Sequence, residues 1–446
     1  MKRAKQLGFL LALVWFTPRA QADVTVLLEE PYSYDGAFAG TGHTAIYFSR
    51  VCADSPTVLR SCEPGETGVV ISRYHGVGGY DWVAIPLFPY LYAVERPEDI
   101  PLIANAKLEA ALRDRYRREH LETIAPDDPS GETPGGNWYE LVGSAYDRTL
   151  YGFRVETSAK QDAEFIAAYN AAPNRMSYMV VTHNCADFVR EVVNFYYPKA
   201  IGRSFLADLE VSTPKHVAKS FVKYTRKHRE LQSSSFIIPQ VPGTIKRSTP
   251  VHGIVDSVFK AKKYELPLLA LNPVVGGLVA VDYLVSARFD PAKSSDILDP
   301  GKGTLEPPLT ADERRSYEKG LQELLQAEPE LPSLPDSPAW KQFQAKAEVR
   351  TDGAGRPILQ AEFGGNLYEV GISRANILTA SIPAELTRQL LVARLRDELK
   401  KNSARKVSDA NIREDWNLLQ FIISAQRSST ATRTVVLTSS ARNGTN

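Results

Sequence analysis

Apolar residues along the chain recur in two rhythms. Short runs rich in Val, Ile, Tyr and Phe predict strands at 24–28, 43–48, 68–75, 80–87 and 149–156. Residues 43–87 hold three of these in succession, which predicts an antiparallel meander. Leu108, Ala111, Leu112 and Tyr116 share one face of a helix over 105–120. Thr157 or Ser158 caps a further helix to about Ala171, and a short helix is expected within 138–147. Residues 177–182 read as a strand that runs directly into Asn184-Cys185. Phe188, Val189, Val192, Val193 and Tyr196 then recur at helical spacing until Pro198 stops them. Asn184 and Asp187 stand at N-cap and N3 spacing of that helix. Ser212-Thr213-Pro214 opens the next helix, to about His228, with proline in its first turn.

The texture changes after this point. Residues 231–250 are rich in Ser, Pro and Gly and mark a domain boundary. Beyond it, 347–350 and 358–363 predict a hairpin around Asp352-Gly353, and 367–372 a third strand. Residues 383–400 and 408–424 predict amphipathic helices, and 328–338 is proline-rich. The fold class expected is α+β: an antiparallel sheet packed with helices over 23–230, a linking and apolar segment over 231–300, and a C-terminal α+β domain over 301–446.

Two apolar stretches bear on location. Lys2, Arg3 and Lys5 precede the ten-residue run Leu7 to Phe16, and Ala20-Gln21-Ala22 follows. This is the layout of a secretory signal peptide over 1–22, cleaved before Asp23. Ten apolar residues are too few to span a bilayer. The uncharged stretch 266–281 holds Pro267, Asn272 and Pro273, and fits a buried segment or a peripheral membrane-surface patch better than a span. The 53 basic and 52 acidic residues nearly cancel, so nothing marks a nucleic-acid footprint.

An exported chain folds in an oxidising compartment. Of three cysteines, Cys52 and Cys62 lie ten residues apart in a loop with Asp54, Pro56, Pro64 and Gly65, which a disulfide closes readily. Cys185 is left over. No two cysteines have zinc-ligand spacing, and no cofactor motif is present. Cys185 is either a small buried hydrophobe before Phe188 and Val189 or a nucleophile at a helix N-terminus, where the free backbone amides help to bind an oxyanion. A thiol nucleophile needs a base. Among seven histidines, His120, His216 and His228 sit in polar helical contexts, His252 lies past the boundary, and His183 ends a strand pointing aside. His43, after Gly40-Thr41-Gly42, and His75, before Gly76, remain, each open to the reading of an ordinary surface or core histidine.

The strand Gly-His-Thr-Ala-Ile-Tyr around His43, followed much later by His-Asn-Cys-Ala-Asp-Phe-Val around Cys185, resembles the circularly permuted branch of the NlpC-like, papain-like fold. That branch includes the lecithin retinol acyltransferase-like proteins and bacterial families of unknown function. The resemblance covers roughly 23–229. It implies Cys185 as nucleophile, His43 as base and a third polar residue on the next strand, a place for His75, Ser72 or Tyr74. It implies a thiol hydrolase acting on an amide or ester, with peptide, cell-wall peptide or lipid ester as substrate, or an acyltransferase of the same chemistry. The competing expectation is a non-catalytic envelope protein whose papain-like domain is a scaffold and whose C-terminal half binds a partner.

Overall fold

Val24, Val26 and Leu28 alternate with Thr25, Leu27 and Glu29 along β1 (Ala22–Glu29), and all six are buried. A strand covered on both faces belongs in the middle of a sheet. In the computed structural model it pairs antiparallel with β2 (His43–Phe48) on one side. The description covers residues 22–32, 41–175, 178–179, 182–203, 212–243, 245–251, 289–299, 303–327, 346–363, 366–373, 375–376, 409–417 and 419–420. The expected signal peptide up to residue 21, the apolar stretch 266–281 and the helix expected at 383–400 lie outside them.

The Cys52–Cys62 segment is not the plain loop expected. It forms a hairpin of β3 (Val51–Ser55) and β4 (Val58–Ser61), and a disulfide joins Cys52 to Cys62 with their Cα atoms 4.8 Å apart. β5 (Val69–Ser72) and β6 (Val83–Pro86) then complete the expected meander beside β2. β5 stops at Ser72, short of the expected His75, because a turn with Gly76, Gly78 and Gly79 at positive φ follows.

The remaining elements of this part are α1 (Leu87–Tyr92), α2 (Ala106–Tyr116), α3 (Ser144–Asp147), β7 (Leu150–Thr157), α4 (Ala159–Ala171), α5 (Cys185–Tyr196) and α6 (Pro214–Lys227). Ser158 caps α4 in a full capping box with Gln161. β7 lies on the other side of β1. Residues from the segment expected to link two domains, and from the start of the expected C-terminal domain, then extend the same sheet. β8 (Ser234–Ile238) pairs antiparallel with β7, β9 (Asp296–Asp299) parallel with β8, and β10 (Thr304–Glu306) antiparallel with β9. The sheet has eight strands in the order β10-β9-β8-β7-β1-β2-β5-β6, antiparallel except at β8–β9. The fold is α+β.

Strand alternation gives the sheet two buried faces. Val24, Val26, Ile46, Ile71 and Phe153 pack against Phe165 of α4, Phe188, Val189 and Val192 of α5, and Val217 and Phe221 of α6. Leu27, Ala45, Val70 and Ile85 face Tyr90 and Leu91 of α1, Leu108 and Leu112 of α2 and Tyr146 of α3. This second layer also takes in Leu359, Ala361 and Val370 from a separate sheet of β11 (Glu348–Thr351), β12 (Pro357–Phe363) and β13 (Asn366–Gly371), the three strands expected from the sequence. α7 (Ala311–Ala327), capped by the reciprocal Thr310–Glu313 pair, was not legible as a helix. No described helix is long and apolar enough to cross a membrane.

Candidate active site

Cys185 is the first residue of α5, and the segment around it is tied down at several points. The Asn184 side chain accepts a hydrogen bond from the Asp187 amide (2.9 Å), and its Nδ2 donates to the Ser212 carbonyl (3.0 Å). Asp187 does not return the cap. Its carboxylate accepts from Ser212 Oγ (2.7 Å) and Arg190 (3.1 Å), which fastens the lead-in to α6 against α5. Arg73, beyond β5, donates to the Asn184 carbonyl (3.4 Å) and lies over the Phe188 ring. The strand expected at 177–182 is not a ladder strand in its described part: Met179 and His183 bridge one another across a tight turn.

The thiol lies where two strands part. The β2–β5 ladder pairs Phe48, Tyr47 and Ile46 with Val69, Val70 and Ile71 and goes no further. Thr44, two residues beyond, turns its hydroxyl to the Leu27 carbonyl (2.6 Å), while its backbone amide serves the Cys185 sulfur, as does the amide of Ala186. α5 approaches from one face of the sheet. His43, neighbour to Thr44, belongs by alternation to the other face, opposite Glu29 in the β1–β2 register. The thiol and the imidazole therefore belong to opposite faces of the sheet.

His43 is buried, with its ring stacked on Tyr74 at 4.4 Å between centroids. Its Nε2 is 2.6 Å from Ser72 Oγ. With Nε2 carrying the proton and donating to Ser72, Nδ1 keeps its lone pair, and Nδ1 makes no hydrogen bond among the described residues. No direct His43–Cys185 hydrogen bond is formed in this state. Behind Tyr74 runs a buried polar chain. Tyr74 and Tyr90 meet hydroxyl to hydroxyl (3.3 Å), Tyr90 donates to Glu29, and Arg148 Nη1 lies 3.3 Å from Glu29. Arg148 also covers the Tyr32 ring at 4.5 Å.

Burial dominates the protonation of the pair. It pushes the Cys185 thiol up to about 12 and holds the His43 imidazole well below its usual range, with the Arg148 charge adding to the latter. At neutral pH both groups are uncharged. The glycine before this strand is required: Gly42 has φ +70°, and a Cβ there would stand 2.1 Å from the Glu29 carbonyl oxygen. The close approach that Gly42 permits is that of β1.

The chain matches no family model, no curated protein and no solved structure.

Of the sequence-predicted residues, Cys185 opens α5 on one face of the sheet and His43 starts β2 with its ring on the other, against Tyr74. His75 is exposed in the turn after β5, edge-on to Tyr178 at 5.6 Å, and the His43 ring is instead held by Ser72 and Tyr74, the two alternatives weighed for the third position. The other described histidines are occupied locally: His120 with Glu95, His183 with Thr182, His216 with the Gly202 carbonyl and His228 with Glu230. Glu66, close to Cys52 and Cys62, pairs with Arg60, and the two sulfurs are bonded to each other, so this cluster offers no metal site. Glu29, Tyr178 and Arg148 were not anticipated. One signal for Glu29 was present, a carboxylate closing the apolar run Val26-Leu27-Leu28.

Proposed function

We propose that the protein is an exported thiol acyl-transfer enzyme that cleaves an amide or ester through an acyl-enzyme on Cys185, with His43 as base. The observation that carries this reading is Cys185 at the first turn of α5 with the Thr44 amide acting on its sulfur, Thr44 being next in the chain to His43, whose Nε2 is held by Ser72 and whose Nδ1 is open. Cys185 attacks the substrate carbonyl carbon while its proton passes to His43 Nδ1. Concerted transfer is required because the resting thiol is neutral. Backbone amides at the start of α5 offer donors to the oxyanion. The imidazolium returns the proton to the leaving amine or alcohol, leaving a thioester. Water, deprotonated by His43, attacks the thioester and restores the thiol; an alcohol or amine acceptor in place of water makes the same site an acyltransferase. Peptide, cell-wall peptide and lipid ester are the substrate classes this chemistry serves at the cell envelope, and the permuted papain-like fold is the one we assign to the domain. The Cys52–Cys62 disulfide supports an oxidising location.

The test is acyl trapping. Wild-type protein mixed with p-nitrophenyl esters of short and long acids should release a burst of nitrophenolate and gain one acyl mass on Cys185. Cys185→Ala should give neither, His43→Ala should lose the burst, and Ser72→Ala should slow it by about tenfold. A second reading, a non-catalytic envelope scaffold, draws on the burial of Cys185, a residue 6% exposed. It predicts no adduct with any ester and alkylation of Cys185 only after unfolding, and that outcome sinks the first reading.

A further inference from the structure

His43 starts β2 directly across from Glu29, the last residue of β1. Residues paired in this way share one face of the sheet. Glu29 is wholly buried, and side chains from two other parts of the chain turn to it. Tyr90 of α1 donates to its carboxylate, Ser144 of α3 donates at 3.4 Å, and Arg148, between α3 and β7, lies 3.3 Å away as an ion pair. Arg148 is buried as well, and Glu29 is its one ion-pair partner among the described residues. Asp147, next to Arg148 in the chain, is taken by Arg113 (2.7 Å). The Tyr90 hydroxyl also meets that of Tyr74 (3.3 Å), and the Tyr74 ring lies on the imidazole, 14° from parallel. The contacts that leave Glu29 therefore pass through Tyr90 and Tyr74 and close on the residue opposite Glu29.

The titratable and charged groups of this cluster are Glu29 of β1, Tyr74 after β5, Tyr90 of α1 and Arg148 after α3, with the Ser72 hydroxyl of β5 on His43 Nε2. Arg148 is the one permanent cation among them. A base that accepts a proton becomes an imidazolium, and an uncancelled guanidinium in the same buried cluster opposes that charge. We propose that Glu29 is a positioning residue for His43: held by Tyr90 and Ser144, its carboxylate cancels the Arg148 charge in the cluster around the imidazole, so that the ring can take up a proton. This deepens the thiol-enzyme reading and rests on it, since that reading makes His43 the base. The protonation of the cluster agrees. Burial and then Arg148 hold His43 below its usual range, and Arg148, Tyr90 and Ser144 favour the Glu29 carboxylate against its burial.

The acid limb of the pH profile of acylation reports the base of the free protein. It is read from the rate at which the full-length protein is acylated by the neutral ester p-nitrophenyl acetate, in a stopped-flow pH jump that precedes acid unfolding. Glu29→Gln leaves Arg148 uncancelled, so the limb should move down by about one pH unit and the plateau rate should fall by about tenfold. Arg148→Met should move the limb up. Glu29→Gln/Arg148→Met, with neither charge, should bring limb and plateau back toward the wild type. A purely structural loss lowers the rate in every variant and does not shift the limb in opposite directions. A limb unmoved in Glu29→Gln, or moved the same way in Glu29→Gln and Arg148→Met, overturns the assignment. Should Glu29→Gln fail to fold, Arg148→Met decides alone: an upward shift supports the assignment and an unmoved limb overturns it. Wild-type acylation with a limb that ignores both substitutions removes the Glu29 role alone. A wild type that forms no acyl adduct at any pH removes the thiol-enzyme reading, and the Glu29 role with it.

Discussion

Cys185 and His43 are kept neutral by the same burial that positions them, and this has a measurable consequence for stability. The Cys185 thiol titrates from a reference value of 9.0 when unfolded to about 12 in the fold. The folded state binds the extra proton in this window, so the contribution is complete below pH 9 and is lost as pH rises toward 12. Between pH 9 and 11 the wild type should lose about 2–3 kcal/mol more stability than Cys185→Ala, read as a narrowing gap in urea unfolding. A gap that stays constant would mean that water reaches the sulfur. His43 runs the opposite way: its depressed folded value gives a contribution present above its reference of 6.5 and lost as pH falls. Both residues could be singled out in the sequence by residue type and context. Their protonation could not, because burial depends on the layers that close over them.

At the scale of elements, the junction at Asn184 joins two helices as well as capping one. The side-chain oxygen caps α5, and the amide nitrogen holds the Ser212 carbonyl just before the α6 cap at Thr213. Asn184→Asp keeps the cap oxygen and removes the donor, whereas Asn184→Ala removes both. The Ala variant should cost about 1–2 kcal/mol in chemical unfolding, and the Asp variant less. Equal losses would assign the stability to the Ser212 contact alone. The strands 24–28, 43–48 and 149–156 were legible because alternation and β-branched content agree there. The strand expected to reach His75 was overextended, since three positive-φ glycines turn the chain after Ser72. The hairpin inside the Cys52–Cys62 segment was hidden by its short polar strands, exposed along much of their length.

At the scale of the molecule, the chain does not divide where its composition changes. β8 covers the β7 edge, with Phe236 opposite Gly152. The β11–β13 sheet packs into the core of the second layer, against α2 and its neighbours. A fragment ending at residue 230 would leave β7 as an open edge and expose this layer. Such a fragment should be aggregation-prone and melt well below the full chain, and the described parts of the full chain should unfold in one calorimetric transition. A fragment 23–230 as stable as the whole would restore two independent domains.

What the sequence determined by itself was local. It placed the strand and helix periods, the disulfide pair, the cap at Asn184, and a leftover thiol at a helix start with a histidine on an early strand. These follow from neighbours within a few residues, where side-chain spacing decides backbone conformation. Tertiary structure decided the rest. It parted β2 from β5 at Ile46, with the Thr44 amide acting on the Cys185 sulfur, and put Ser72 rather than His75 on the His43 ring. Those outcomes depend on which residues, distant in the chain, compete for the same amide, ring nitrogen or counter-ion, and that competition exists only once the layers have packed.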